Sequence, residues 1–319
     1  RYAKIAPEAP HALHMPSHIF TRLGLWQESI VSNRAAAAAA RKDQWAKEEV
    51  HSMDYLVYAY LQGAQDGEAR RIWEELPKVT AKLRDDDHKY SAGAIPARYT
   101  VEQRQWKEAA ALGVPTNLFR GGKSCWMAAA LYFARGLGAL HTGELADARR
   151  SIAQLEHCRE VLLDSGKSNG EQADRGRLNE KLWANLVDAQ GRAVAAWLAL
   201  AEGEKDEALA MMRSAADLED STDKPPTTPG AIVPARELLG DMLAELERPA
   251  EALREYEAVL DNSPNRFNAL YGAARAAELA GDMGKARDFY TKLAALGEKA
   301  DSGRPALSRA KAFLNNSLD

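Results

Sequence analysis

Three of the seven histidines fall within eight residues, His11, His14 and His18, and a fourth, His51, opens an HxxD pair with Asp54. On a helix turning about 100° per residue, His14 and His18 lie at roughly 300° and 340° relative to His11, inside an arc of roughly 60°. His14 and His18 are about 6 Å apart along the axis and suit one metal ion; His11 and His18, about 10.5 Å apart, do not. An HxxD pair on a neighbouring helix would complete a set of three or four ligands: His14, His18, His51 and Asp54. Imidazoles with one carboxylate favour a transition ion such as Zn, Fe, Mn, Ni or Cu over Ca or Mg, which prefer oxygen. His11 would then support a ligand, bind a second ion or touch substrate. Pro16, between His14 and His18, either kinks their helix or starts it. The plainer alternative is that these imidazoles only make hydrogen bonds in a solvated groove.

The other histidines carry less. His88 follows the acidic run 85–87, His141 lies near a helix end, and His157 adjoins Cys158. Cys125, before Trp126 in an apolar stretch, reads as core, and two cysteines make neither a disulfide framework nor a metal knuckle. The seven tryptophans fall where bulky side chains fill gaps between helices. GxSxG, GxGxxG and GxxxxGK[ST] are absent, so nucleophile-elbow, dinucleotide and P-loop chemistries lose their sequence support.

The elements that must position such a site are helices. Alanine supplies 60 of 319 residues, alternating β-branched runs are nearly absent, and Gly and Pro fall mostly between periodic segments. The net charge of −4 and the 46% hydrophobic content describe a globular chain and exclude a charge-driven nucleic-acid partner. No stretch reaches the roughly 18 apolar residues of a membrane span. The start at Arg1 without Met suggests a part of a longer protein.

The clearest internal unit runs Arg236-x2-Leu239-Gly240-x2-Leu243 with Ala252, Tyr256, Val259 and Pro264. The next runs Leu270-x2-Ala273-Ala274-x2-Ala277 with Ala286, Tyr290 and Leu293. Ala252 and Ala286 are 34 residues apart, and the unit resembles the tetratricopeptide repeat (TPR), a helix hairpin whose small residues let helices A and B touch. The same landmark of helix B recurs at Ala208, Ala148, Ala109, Ala69 and Ser29, with turns expected at Gly24, Gly67, Gly143 and Gly203. The spacings of 60, 39, 40 and 40 imply degenerate early units. The fold expected is all-α, a TPR-like superhelix of about seven hairpins.

Long punctuated stretches lie at 164–174 and 220–230, the second with three prolines. They divide the chain into N-terminal degenerate hairpins (1–218), a Pro-rich flap or hinge (219–232) and a C-terminal repeat pair (233–319). In the TPR register, positions of helix A that face a concave groove fall on His11, His14, His18 and Thr21, then on His51, Asp54, Tyr58 and Leu61. Tyr58, Arg98, Glu237, Asp241 and Arg275 are expected to line that groove.

The string Pro10-His-Ala-Leu-His-Met-Pro-Ser-His-Ile-Phe20, with Asn33 and His51-Ser-Met-Asp-Tyr-Leu56, resembles a family of bacterial TPR proteins whose signature is HMP-[small]-HI-[aromatic] followed by a His-led helix. Segments 229–240 and 263–274 resemble its C-terminal half. The resemblance implies that a further His-bearing hairpin precedes the HMP helix in relatives, and it favours an exported or envelope location. Three readings of function follow. The first is a scaffold binding a peptide or protein segment in its groove, with a metal at its N-terminal end. The second is a metal-dependent enzyme with Glu48, Glu49 or Tyr58 as acid or base. The third is a structural subunit of a larger assembly.

Overall fold

The structure is a computed structural model that describes residues 6–84, 89–119, 122–165 and 171–316. The run 85–87 and His88 lie outside the described residues, as do positions 166–170 of the stretch at 164–174. The fold is all-α: fifteen α-helices and two 3₁₀ segments, with no strand among the described residues. In order these are α1 (Pro10–Arg22), α2 (Trp26–Lys42), α3 (Ala46–Gln62), α4 (Asp66–Thr80), α5 (Tyr90–Glu102), α6 (Trp106–Ala110), α7 (Ala129–Thr142) and α8 (Leu145–Ser165). They continue with α9 (Glu171–Ala201), α10 (Lys205–Asp220), α11 (Ala235–Glu245), α12 (Pro249–Asn262), α13 (Phe267–Leu279), α14 (Met283–Leu296) and α15 (Pro305–Asn316). Among the described residues no helix is long and apolar enough to cross a membrane.

The repeat register is visible helix by helix. Ser29, Ala69, Ala109, Ala148, Ala208, Ala252 and Ala286 all have 0% exposure, and they fall one each on α2, α4, α6, α8, α10, α12 and α14. Each even-numbered helix is therefore a helix B, and seven TPR-like hairpins precede a terminal helix. The 60-residue gap between Ala148 and Ala208 arises because α8 has 21 residues and α9 has 31. In the last repeats the Tyr256 ring sits so close to Gly240 and Gly272 that a Cβ at either would meet it at 2.8 and 2.4 Å.

Most helices are joined by tight turns with one residue at positive φ. Gly24, Gly143, Gly203 and Gly281 supply it where glycine is present; Gln44, Ala64, Arg104 and Glu247 adopt the same conformation with a side chain. The turn expected at Gly67 is made instead by Ala64, at φ 52°; Gly67 lies in the first turn of α4. There the backbone N–H groups of Gly67 and Glu68 donate to the Asp301 carboxylate (3.1 and 3.2 Å), an anion at a helix N-terminus.

The chain forms two compact units, residues 1–84 with 240–319, and residues 85–239. In the first, α1 to α4 pack in succession and join the C-terminal repeats. Trp26 Nε1 donates to the Asn265 carbonyl (2.8 Å), Asn265 Nδ2 to the Gly24 carbonyl (3.2 Å), and the Phe267 N–H to Gln62 Oε1 (2.8 Å). Arg304 forks onto the Asp66 carboxylate, with its Nε 2.8 Å from Oδ2.

In the second unit, the Arg98 guanidinium on α5 donates to the Ala231 and Gly230 carbonyls (2.6 and 3.2 Å) and holds the Pro-rich segment 219–232 against that helix. Cys125, in the 3₁₀ segment Gly122–Ala128, and Cys158 on α8 form a disulfide. The core reading of Cys125 holds, since both cysteines are buried; their pairing is new, because two cysteines 33 residues apart carry no spacing signature. Trp126, next to Cys125, forms an aromatic cluster with Tyr90 and Trp183, with Trp126 and Trp183 centroids 4.3 Å apart.

Two predictions follow from these contacts. Gln44 is exposed at φ 58°, so Gln44→Gly should raise the urea midpoint, by about 1 kcal/mol in stability, whereas Gly24→Ala should lower it, since its Cβ would stand 2.2 Å from the Pro264 carbonyl oxygen. Tyr290 is pushed up to about 12 by burial and by donating to Glu278 (2.9 Å). Its folded value exceeds its unfolded value of about 10, so its contribution is full below pH 10 and is lost as pH rises from 10 toward 12. Tyr290→Phe should flatten that alkaline loss in denaturation midpoints measured across the range.

Candidate metal centre

Two neighbouring helices build the site. Pro10 occupies the first turn of α1, where its missing N–H is harmless and its fixed φ suits the helix. Pro16 lies inside α1 without ending it, so His14 and His18 share one continuous helix, and His14 is not in a cap. α2 returns antiparallel in the hairpin, and α3 then carries His51 and Tyr55, four residues apart on one face.

His14, His18 and His51 converge. Each offers a ring nitrogen, and these three atoms lie within 4.8 Å of one another. Ring centroids are 4.7 Å apart for His14 and His18, 4.5 Å for His14 and His51, and 6.3 Å for His18 and His51. His14 is fully buried; His18 and His51 are half-buried.

The tautomer of His14 follows from its partners. Asn33 Nδ2 donates to the Ser29 carbonyl (2.8 Å), which turns Asn33 Oδ1 toward His14 Nδ1 at 2.6 Å. An amide oxygen only accepts, so Nδ1 carries the proton and Nε2 presents a lone pair. Ser17 Oγ also donates to Asn33 Oδ1 (3.3 Å) and strengthens that polar pocket. Burial pushes His14 down to about 4, with the positive potential of His18 and His11 adding to the shift and the Asn33 bond opposing it. His14 is accordingly a neutral imidazole at neutral pH. Its Nε2 faces His18 Nε2 at 2.9 Å, and His18 Nδ1 is 3.0 Å from the Tyr55 hydroxyl.

Asp54, expected as a fourth ligand, is fully buried on α3 and is not one of the three clustered groups. His11 is also outside the group; it is exposed and its Nδ1 stands 3.6 Å from Glu48 Oε2. Glu49 is buried and accepts from Arg41 Nε at 2.7 Å.

The groove set lies mostly inside the protein. Tyr58, Arg98 and Glu237 are 3%, 0% and 1% exposed. Tyr58 receives Arg266 Nη1 (3.4 Å), and Arg98 holds the segment around 230. Asp241 accepts from the Tyr256 hydroxyl (2.6 Å) and Arg275 pairs with Glu278 (3.0 Å). Of the remaining histidines among the described residues, His141 stacks on Trp106 with centroids 4.1 Å apart, and His157 is exposed.

Sequence reasoning assigned no role to Asn33, Ser17 or Tyr55. Asn33 and Ser17 are polar residues on helix faces that the hairpin buries, which is the signal that marks them; Tyr55 is at i+4 from His51.

No family model matches this chain, and no curated protein matches it. Among solved structures, a tetratricopeptide repeat protein from Parabacteroides merdae ATCC 43184 is 13% identical, covering 97% of this chain and 99% of its own, with a TM-score of 0.44. The TPR domain of P58(IPK) is 16% identical, covering 99% of this chain and 92% of its own, with a TM-score of 0.32.

Replacing Asn33 by Leu leaves the His14 Nδ1–H without its amide acceptor in a buried site. The expected cost is about 1–3 kcal/mol, read as a lower urea midpoint.

Proposed function

We propose that this chain binds a transition-metal ion, from the set Zn, Fe, Mn, Ni and Cu, through His14, His18 and His51 on a framework of TPR-like hairpins. One observation carries the reading: a neutral, tautomer-fixed His14 turns its Nε2 lone pair onto His18 Nε2 at 2.9 Å, with a nitrogen of His51 within 4.8 Å. The donor set fits such an ion. Two nitrogens bound to one ion at about 2.0–2.1 Å stand about 2.9–3.4 Å apart for bond angles between right and tetrahedral. The ring nitrogen of His14 that points away from the cluster is held by Asn33, as a ligand's outer nitrogen usually is.

Three protein ligands leave a coordination position for water or a small ligand, the arrangement of catalytic rather than closed structural sites. When bound, the ion would supply Lewis acidity at that position. A metal-dependent activity therefore ranks above the peptide-groove reading, whose proposed contacts Tyr58, Arg98 and Glu237 are buried. Helix hairpins still offer broad faces to protein partners, and such a partner belongs to the reading as a second interaction. The Cys125–Cys158 disulfide supports an oxidising compartment, in keeping with the exported location that the HMP-[small]-HI resemblance implies.

The test is elemental analysis of protein purified without an affinity tag, with His14→Ala and His51→Ala alongside. About one ion per chain in the wild type and near-zero content in both variants is expected. Equal content in all three proteins, whether zero or one, overturns the site.

A further inference from the structure

We infer that Tyr55 is the positioning residue that sets which ring nitrogen of His18 carries its proton, and that ion uptake reverses the direction of the Tyr55–His18 hydrogen bond. The inference rests on the three-histidine site proposed above.

The Nε2 atoms of His14 and His18 are 2.9 Å apart. His14 presents a lone pair there, because its proton is committed to Asn33. Two lone pairs at that distance repel, so one of two things must lie between them: a proton supplied by His18, or a cation. Without a cation His18 carries Nε2–H and donates it to His14. In its neutral form His18 has one N–H, so with Nε2–H committed to His14 its Nδ1 is an acceptor, and the group facing it at 3.0 Å is the Tyr55 hydroxyl, which then donates.

With a cation at the cluster, His18 Nε2 must present its lone pair, and the proton sits on Nδ1. The Tyr55 oxygen now accepts. The balance is simple: one proton leaves Nε2 and one arrives at Nδ1, exchanged with water at the half-buried ring, and Tyr55 keeps its own proton and rotates its O–H bond. No net proton is released.

The residue type fits this task. A hydroxyl both donates and accepts, whereas an amide oxygen, as at Asn33, holds its histidine in one tautomer only. The pair of supports is therefore asymmetric: Asn33 fixes His14, and Tyr55 allows His18 two states. Tyr55 is 1% exposed, and its ring stands edge-on to His14 (4.6 Å, 90°) and packs against His18 and His51 at 5.1 and 5.3 Å, which pins the hydroxyl beside His18 in either state.

The test uses the full chain and zinc as the probe. Multiple-bond proton–nitrogen NMR correlations of the histidine rings should show the Nε2–H form of His18 in metal-free wild type and the Nδ1–H form after zinc is added. Competition with a chelator should show zinc held about 10–100-fold more weakly by Tyr55→Phe, at unchanged stoichiometry. A His18 already in the Nδ1–H form without metal, or a Tyr55→Phe affinity within about threefold of wild type, overturns the role of Tyr55 and leaves the metal site standing. A wild-type protein that takes up no zinc overturns the site itself, and this inference with it. The NMR measurement on wild type decides the matter should the variant fold poorly.

Discussion

The bond from His14 Nδ1–H to Asn33 Oδ1 decides what the rest of the histidine cluster can be. It spans a helix hairpin, from α1 to α2, and it is made in a buried pocket where a misdirected dipole would be costly. Because Asn33 is itself oriented by the Ser29 carbonyl, the direction of the bond is set by backbone. A lone pair is therefore delivered to a defined point. Both other imidazoles, and the phenol of Tyr55, are arranged around that point by α1 and α3.

His14 and Asn33 are fully buried in the first unit, whose two ends are joined by hydrogen bonds. The turn at Gly24, which follows α1, accepts a hydrogen bond from Asn265, and Gln62 at the end of α3 accepts the N–H that opens α13. The start of α4 is capped by Asp301 and its Asp66 is forked by Arg304. Backbone groups at helix ends need partners. Here residues more than two hundred positions away supply them, and they fix the two helices that carry His14, His18 and His51. The C-terminal repeats thus act on the site by holding α1 and α3 in register, without contributing a ligand.

Much of this was legible from residues. Seven small-residue landmarks, extended backward from one 34-residue spacing at irregular intervals, are all fully buried on successive second helices, since a small side chain at a close helix crossing is a local requirement with a local signature. The arc of His14 and His18 was legible for the same reason, as helical angle is a property of spacing. Pro16 threatened that arc in the sequence, and the helix runs through it. Asp54 is buried on α3 outside the three-nitrogen group, and spacing places a residue on a helix without saying which neighbour it turns to. Arg98, expected to line the groove, holds a loop of its own chain, a contact between positions 98 and 230 that no local pattern encodes. The disulfide belongs to the same class of long-range pairing.

The grading of burial around the cluster carries one more consequence. His14 is sealed at the back by Asn33, Ser17 and the edge-on ring of Tyr55, while His18 and His51 are half-buried and meet solvent. An ion at the proposed site would approach from the side of His18 and His51 and meet the fixed lone pair last. In that proposal an exchangeable coordination position would lie on the exposed side, beside His18 and His51. Exposed His11, whose Nδ1 stands 3.6 Å from Glu48 Oε2, lies within roughly 60° of His14 and His18 on α1 and borders that side of the helix. A ligand to the proposed ion would pass that imidazole–carboxylate pair, and the donors at the floor would be nitrogens alone.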